Sequence, residues 1–255
     1  MKLYLTGPRA GGLRSRLKKA GFILSDSVET ADLIFVCGGD GAMLTAAADY
    51  PDRLIFAMRD EETAPLCPRH SVEMQLSMLL AGEAKRTDLP RLAGEANGKT
   101  LYGINDIFIH NKINVAAMRY DVMIDSELYG REIVGDGVGV STVHGSTAYY
   151  RSITHSVFRT GIGLAFSNST ELVNHLVLPE CSRVRIRILR GPCEMVADNS
   201  RKSIPLAEGD EALIHLSGET TPILGLDIFM CPECRMMRHD LRRTVIRKKS
   251  GRCGL

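Results

Sequence analysis

The stretch Asp32-Leu33-Ile34-Phe35-Val36-Cys37-Gly38-Gly39-Asp40-Gly41-Ala42-Met43-Leu44-Thr45-Ala46-Ala47-Ala48 decides the fold. An apolar run of one strand's length ends at three glycines around a single aspartate, and a small-residue helix follows. Glycine has no Cβ, so a backbone built from it turns sharply and lets a ligand approach closely. The N–H groups of such a loop, with the N-terminus of the next helix, form a cradle for phosphate. Asp40 is the odd member, because a carboxylate repels phosphate. Its presence points to a bridging metal ion or to a substrate hydroxyl that needs orienting.

Outward from this loop, residues 3–5, 22–24 and 53–58 read as further apolar strands. Residues 11–20 read as a basic helix capped by Gly21, and residues 71–80 as a second helix. Strands alternating with helices at this spacing predict an open, mostly parallel α/β sheet, whose ligands bind beyond the carboxyl ends of the strands. From about Leu101 the pattern changes to short β-rich segments at 104–110, 120–124, 138–142, 184–189 and 212–216. The expected organisation is an α/β domain over residues 1–98 carrying the glycine loop and a β-rich domain over 99–226. A C-terminal segment, 227–255, is expected to return to the first domain.

The chain has 255 residues, 44% of them hydrophobic, and 32 basic against 30 acidic side chains for a net charge of +2. That balance gives no general attraction to nucleic acid. The locally basic run at 242–249 reads as a solvated C-terminal helix. No apolar run reaches the roughly 20 residues of a membrane span, and no signal-peptide segment stands at the N-terminus. Seven cysteines, an odd number over a long chain, do not read as a secreted disulfide framework. A cytoplasmic protein is the expectation.

Two further stretches carry chemistry. Gly135-Asp136-Gly137-Val138-Gly139-Val140-Ser141-Thr142-Val143-His144-Gly145-Ser146-Thr147-Ala148-Tyr149 combines an acidic turn, a strand, a Gly-Ser-Thr loop and the start of a helix. Ser146 and Thr147 are placed to cap that helix while offering hydroxyls to a ligand, and the cap is the favoured role. Asn105-Asp106 interrupts the apolar run from Ile104, as a locally satisfied bulge or turn or as a pair aimed at a polar ligand. His144 reads as a ligand contact or as a space-filling residue, with the second favoured. Cys231-Pro232-Glu233-Cys234 has no second ligand pair close in sequence, so a tight turn is favoured over metal or redox chemistry.

Taken in order, the Gly-Gly-Asp-Gly loop, Asn-Asp and the run from Asp136 to Tyr149 resemble the NAD kinase family, which uses ATP or polyphosphate. The glycine loop alone is shared with lipid and sugar kinases; the longer run is the selective feature. The resemblance implies an α/β domain followed by a β-rich domain, in homodimers or homotetramers. It implies that Asp40 meets the adenosine ribose 2′-hydroxyl of NAD as general base, and that Gly38, Gly39 and Gly41 accommodate the phosphate donor. Asn105, Asp106, Asp136, Thr147, Ala148 and Tyr149 are implied to bind NAD, with Asp136 toward the nicotinamide and Thr147 and Ala148 toward the adenine. Mg²⁺, or another divalent cation, would bridge the donor phosphates.

The match breaks after the fourth strand. The family usually carries an Asn-x-Gly-x-Leu-Gly-Phe segment there, whereas this chain reads Met58-Arg59-Asp60-Glu61-Glu62-Thr63-Ala64-Pro65-Leu66-Cys67. Three successive acids would repel a pyrophosphate unless they face solvent or a metal, and Arg59 could offset them in part. Asp198-Asn199 stands where Asp-Gly is usual. Two other readings compete: a related kinase acting on another nucleoside or a lipid, and a non-catalytic dinucleotide-binding regulator.

Overall fold

A computed structural model describes residues 1–61, 64–113 and 115–238. The chain divides into two compact units, one formed by Met1–Asp88 with the chain from Pro222 onward and one by Leu89–Thr221. The basic run at 242–249 lies outside the described residues.

The first unit contains β1 (Lys2–Thr6), α1 (Arg14–Lys19), β2 (Ile23–Ser25), β3 (Leu33–Cys37), α2 (Asp40–Asp49), β4 (Ile55–Met58) and α3 (Val72–Ala81). Its sheet runs β2-β1-β3-β4 with every pairing parallel. All five residues of β3 and all four of β4 are buried, as expected of parallel strands covered on both faces. Leu3, Leu17, Leu33, Phe35, Phe56 and Leu79 meet in one core, and each such side chain contributes about 1.5–3 kcal/mol by leaving water. Ser71 caps α3 by accepting the Met74 N–H at 3.2 Å, and Gly82, at φ +71°, ends it in the left-handed region.

The second unit begins within β5 (Arg86–Ala96). It continues through β6 (Lys99–Gly103), β7 (Asp106–Asn111), β8 (Met118–Ile124), β9 (Glu127–Gly135), β10 (Gly137–Ser141), α4 (Tyr149–Thr154), β11 (Ile162–Ser167) and β12 (Leu176–Leu178). β13 (Val184–Arg190), β14 (Cys193–Ala197), β15 (Ser203–Leu206) and most of β16 (Glu211–Leu224) complete it. Six strands form an antiparallel sheet in the order β12-β11-β10-β7-β14-β15. β16-β13-β8-β9 forms an antiparallel run, with β5 joining β16 and β6. Strand β13 shows the alternation that drives this packing: Val184, Ile186 and Ile188 are buried while Arg185 and Arg187 are exposed.

The last residues of β16, Ile223 and Leu224, belong to the first unit and pair in parallel with Ile55 and Phe56 of β4. α5 (Leu226–Phe229) follows, and the chain is helical again from 232 to 238.

Several local expectations change. The boundary foreseen at 98/99 falls at Asp88/Leu89, because β5 pairs with β6 as one hairpin. The helix expected over 11–20 is a 3₁₀ turn, Ala10–Leu13, leading into α1, and Phe22 precedes β2 as a buried core residue. Asn105 lies in a bend, and the strand expected to contain it starts at Asp106.

Candidate active site

In the first unit the glycine loop follows β3 and ends where α2 begins at Asp40. None of Gly38, Gly39 and Gly41 adopts a positive φ, so close packing rather than a left-handed turn explains Gly38. A Cβ there would stand 2.7 Å from the Ala42 Cβ and 3.2 Å from the Pro8 ring. The Gly38 N–H donates to the Met58 carbonyl at 2.9 Å, which sets the loop against the end of β4.

The next residue, Arg59, is buried, and its Nη2 donates to the Asp40 Oδ1 at 2.7 Å. Its Nε donates to the Phe229 carbonyl at 3.2 Å, while the guanidinium carbon stands 4.1 Å over the Phe229 ring. A buried guanidinium is costly unless paired, and these contacts satisfy it. Asp40 itself remains open, with 61% of its side-chain surface accessible. A second guanidinium, Arg238, lies within electrostatic range of Arg59 and Asp40; burial and the Arg59 charge lower its pKa. Its Nη1 is buried with no hydrogen-bond partner among the described residues.

The acids that broke the resemblance face arginines: Asp60 pairs with Arg9 at 3.4 Å, and Glu61 with Arg16. Glu62 lies outside the described residues.

In the second unit Asn105 and Asp106 open β7 on a turn built around one carboxylate. Asp198 accepts the N–H groups of Ile104, Asn105 and Asp106 at 2.9, 2.8 and 3.1 Å. The bend is therefore satisfied locally, yet the Asn105 Oδ1 is buried without a partner among the described residues. The Asn105 carbonyl accepts the Thr142 N–H at 2.8 Å and the Ser141 hydroxyl at 3.1 Å. The Thr142 hydroxyl donates to the Ile104 carbonyl at 2.6 Å and accepts the Gly145 N–H at 3.1 Å. These bonds join the Asn-Asp turn to the Gly-Ser-Thr loop. Gly145 is the tightest point, since a Cβ there would stand 2.0 Å from the Asn105 carbonyl oxygen.

The Gly-Ser-Thr residues do not cap α4 as expected. They form a 3₁₀ turn, and the residue ahead of α4 is Ala148, with no side-chain cap bond. Both hydroxyls instead donate to carbonyls, Ser146 to Val143 and Phe158 and Thr147 to His144. Thr147, Ala148 and Tyr149 form an exposed run. The Tyr149 ring packs edge-on to Phe108 at 4.8 Å and lies 5.6 Å from His110, whose pKa burial lowers. Asp136 stands at the other end of β10, accepting a hydrogen bond from Asn168 Nδ2 at 2.8 Å. Since Asp106 pairs with Ser141 and His110 with Gly137, Asp136 is separated from Asn105 by more than the length of β10, about 20 Å at a strand's rise.

No family model matches the chain. It is 26% identical over 248 residues to the mitochondrial NADH kinase of Saccharomyces cerevisiae, covering 89% of this chain and 59% of that protein. The NAD kinase of Yersinia pestis is 27% identical over 211 residues, 76% of this chain and 71% of that one. The NAD kinase of Erwinia tasmaniensis is 29% identical over the same coverage. Among solved structures, yeast NADH kinase complexed with NADH superposes with a TM-score of 0.70 at 19% identity, over 88% of this chain and 83% of that one. The NAD kinase from Archaeoglobus fulgidus in complex with ATP gives 0.71 at 18% identity, over 92% and 97%.

The chain is similar in sequence to NAD kinases and an NADH kinase, and it shares their fold. Against the pattern of the family it resembles, it carries Arg59 in place of the usual glycine-bearing segment, and Asp198 in the position of the usual Asp-Gly. Sequence reading named Arg59 only as a partial offset to the acids and missed Arg238 and the organising role of Asp198. The signal for Asp198 was a lone acid between β14 and β15, which a sequence does not connect to residues 104–106.

Two predictions follow from the second unit. Gly145→Ala drives a Cβ into backbone that cannot yield, so urea unfolding should show a loss of about 3 kcal/mol, whereas Gly12→Ala, with nothing within 4 Å, should be near neutral. Burial, reinforced by the Asp198 charge, pushes the Asp106 carboxyl up to about 7. A carboxyl with a raised folded pKa favours folding below its unfolded value near 3.9, and that contribution is lost as pH rises through about 7. Asp106→Asn removes this dependence, so its stability relative to wild type should rise between about pH 4 and 7; a constant difference would refute the buried-carboxyl assignment.

Proposed function

We propose that the chain transfers the terminal phosphoryl group of ATP or polyphosphate to the 2′-hydroxyl of the adenosine ribose of NAD or NADH, giving the 2′-phosphorylated dinucleotide. The observation that carries this reading is Asp40, an accessible carboxylate at the first residue of α2, gripped on one oxygen by the buried Arg59. A ribose hydroxyl is a poor nucleophile and an ordinary carboxylate a weak base. In a loose phosphoryl-transfer transition state, orientation and charge neutralisation do most of the work. Asp40 fixes the hydroxyl in line and accepts its proton late, while Arg59 keeps the carboxylate in place. Gly38, Gly39 and Gly41 accommodate the donor phosphates.

Asn105, Asp106, Thr147, Ala148 and Tyr149 are assigned to the dinucleotide, with Asp136 toward its nicotinamide end. The exposed Tyr149 ring suits stacking, and the unpartnered Asn105 Oδ1 suits a ligand donor. Mg²⁺, or another divalent cation, is assigned to the donor's phosphates and enters as part of that substrate. No described helix is long and apolar enough to cross a membrane. A homodimer or homotetramer, as the family resemblance implies, would be read by sedimentation.

The test is incubation with NAD or NADH, Mg²⁺ and either donor, with product detected by an NADP-specific dehydrogenase. Asp40→Asn should retain dinucleotide affinity within about threefold while kcat falls by at least about 10³-fold. Turnover unchanged in that variant would refute the role of Asp40. Tight dinucleotide binding by the wild type without product would favour a regulator.

A further inference from the structure

We propose that Cys67, His70, Cys231 and Cys234 form a structural zinc site in the first unit, a function separate from the phosphoryl-transfer reading. Their four ligand atoms all lie within 4.8 Å of one another. The Cys67 and Cys234 sulfurs stand 3.3 and 3.6 Å from the His70 Nδ1. With Zn–S near 2.3 Å and Zn–N near 2.0 Å, a tetrahedron has ligand–ligand edges of roughly 3.5–3.8 Å; the two sulfur–nitrogen separations match such an edge, and the widest ligand pair would close by up to about 1 Å.

The ligands come as two short-spaced pairs, Cys67-Pro68-Arg69-His70 and Cys231-Pro232-Glu233-Cys234. Each pair sits on a tight turn leading into a helix. The His70 N–H returns to the Cys67 carbonyl at 2.9 Å, and the Arg235 N–H to the Cys231 carbonyl at 3.0 Å. The Cys67 N–H donates to the Cys234 sulfur at 3.2 Å. Around the ligands, Gln75 donates to the His70 carbonyl at 2.7 Å, and Arg69 pairs with Glu233 at 2.6 Å. All three sulfurs are buried and none is in a disulfide.

An apolar cluster of cysteines would not aim an imidazole nitrogen at its sulfurs. A closed set of three sulfurs and one nitrogen suits zinc over hard cations that prefer oxygen. The second pair, absent from the sequence near Cys231–Cys234, stands 164 residues away in the chain and beside it in space.

The placement gives the site a job. Cys67 follows Arg59 on the segment that departs from the family pattern, and Cys231 lies two residues beyond Phe229. Zinc would fasten together the two stretches whose contact holds the Arg59 guanidinium.

The experiment is elemental analysis of full-length protein purified without an affinity tag from zinc-replete cells. One zinc per chain is expected. Cobalt substitution should give thiolate-to-metal charge-transfer bands and the intense visible bands of a tetrahedral site. Cys67→Ser and Cys234→Ser should each lose stoichiometric zinc, while Cys181→Ser, at an exposed cysteine, should keep it. If the first two variants do not fold, thiol titration of the wild type with a mercurial should release zinc in step with a fall in Tm. Wild-type protein with below about 0.1 metal ion per chain, or a Cys231–Cys234 disulfide found by mass spectrometry, would overturn the proposal.

Discussion

The pairing of Arg59 with Asp40 is the interaction on which the chemistry proposed for the first unit depends. A guanidinium taken out of water must be answered on several sides, and here the partners are a carboxylate, a backbone carbonyl and an aromatic face. Because Arg59 directly follows β4, its position is set by a strand in which every residue is buried. The Asp40 carboxylate is thus held from a rigid element although its own surface is mostly open. That combination, anchored on one oxygen and accessible on the other side, suits a group that must orient a hydroxyl and then take its proton.

The second unit solves a different problem, that of holding a bend whose backbone N–H groups have no ladder partner. Asp198 accepts three of them, and the Asn105 carbonyl is gripped in turn by Ser141 and Thr142. Packing is then so close that position 145 admits only glycine. The cost is a pair of acids sharing a buried region, and it appears as the raised pKa of both Asp106 and Asp198. For Asp198, burial outweighs the three N–H bonds that favour its ionised form. The network that fixes the loop geometry therefore holds two carboxyls whose pKa burial raises.

Much of this was legible in the sequence, and the parts that were not share a physical cause. Buried runs such as 33–37 and the glycine loop after them announce a strand and a phosphate-type turn through local composition alone. The order of the three motifs carries the resemblance to NAD kinases, and the fold agrees with it. What stayed hidden were contacts between residues far apart in the chain. Asp198 meets residues 104–106, Arg59 meets Phe229, and Cys67 and His70 meet Cys231 and Cys234. The helix cap expected at Ser146 and Thr147 failed for a related reason, since both hydroxyls found carbonyl acceptors in their own loop and at Phe158. The segment after β4, which reads as a loss of family character, is where this chain installs its arginine instead.

The most direct test of the account is a double-mutant cycle on turnover, with Arg59→Met and Asp40→Asn made singly and together. If Arg59 acts by holding Asp40, Arg59→Met alone should lower kcat by about 10–100-fold, and the double variant should be no slower than Asp40→Asn within about twofold. Losses that multiply in the double variant would show that Arg59 works independently of Asp40 and would contradict the account.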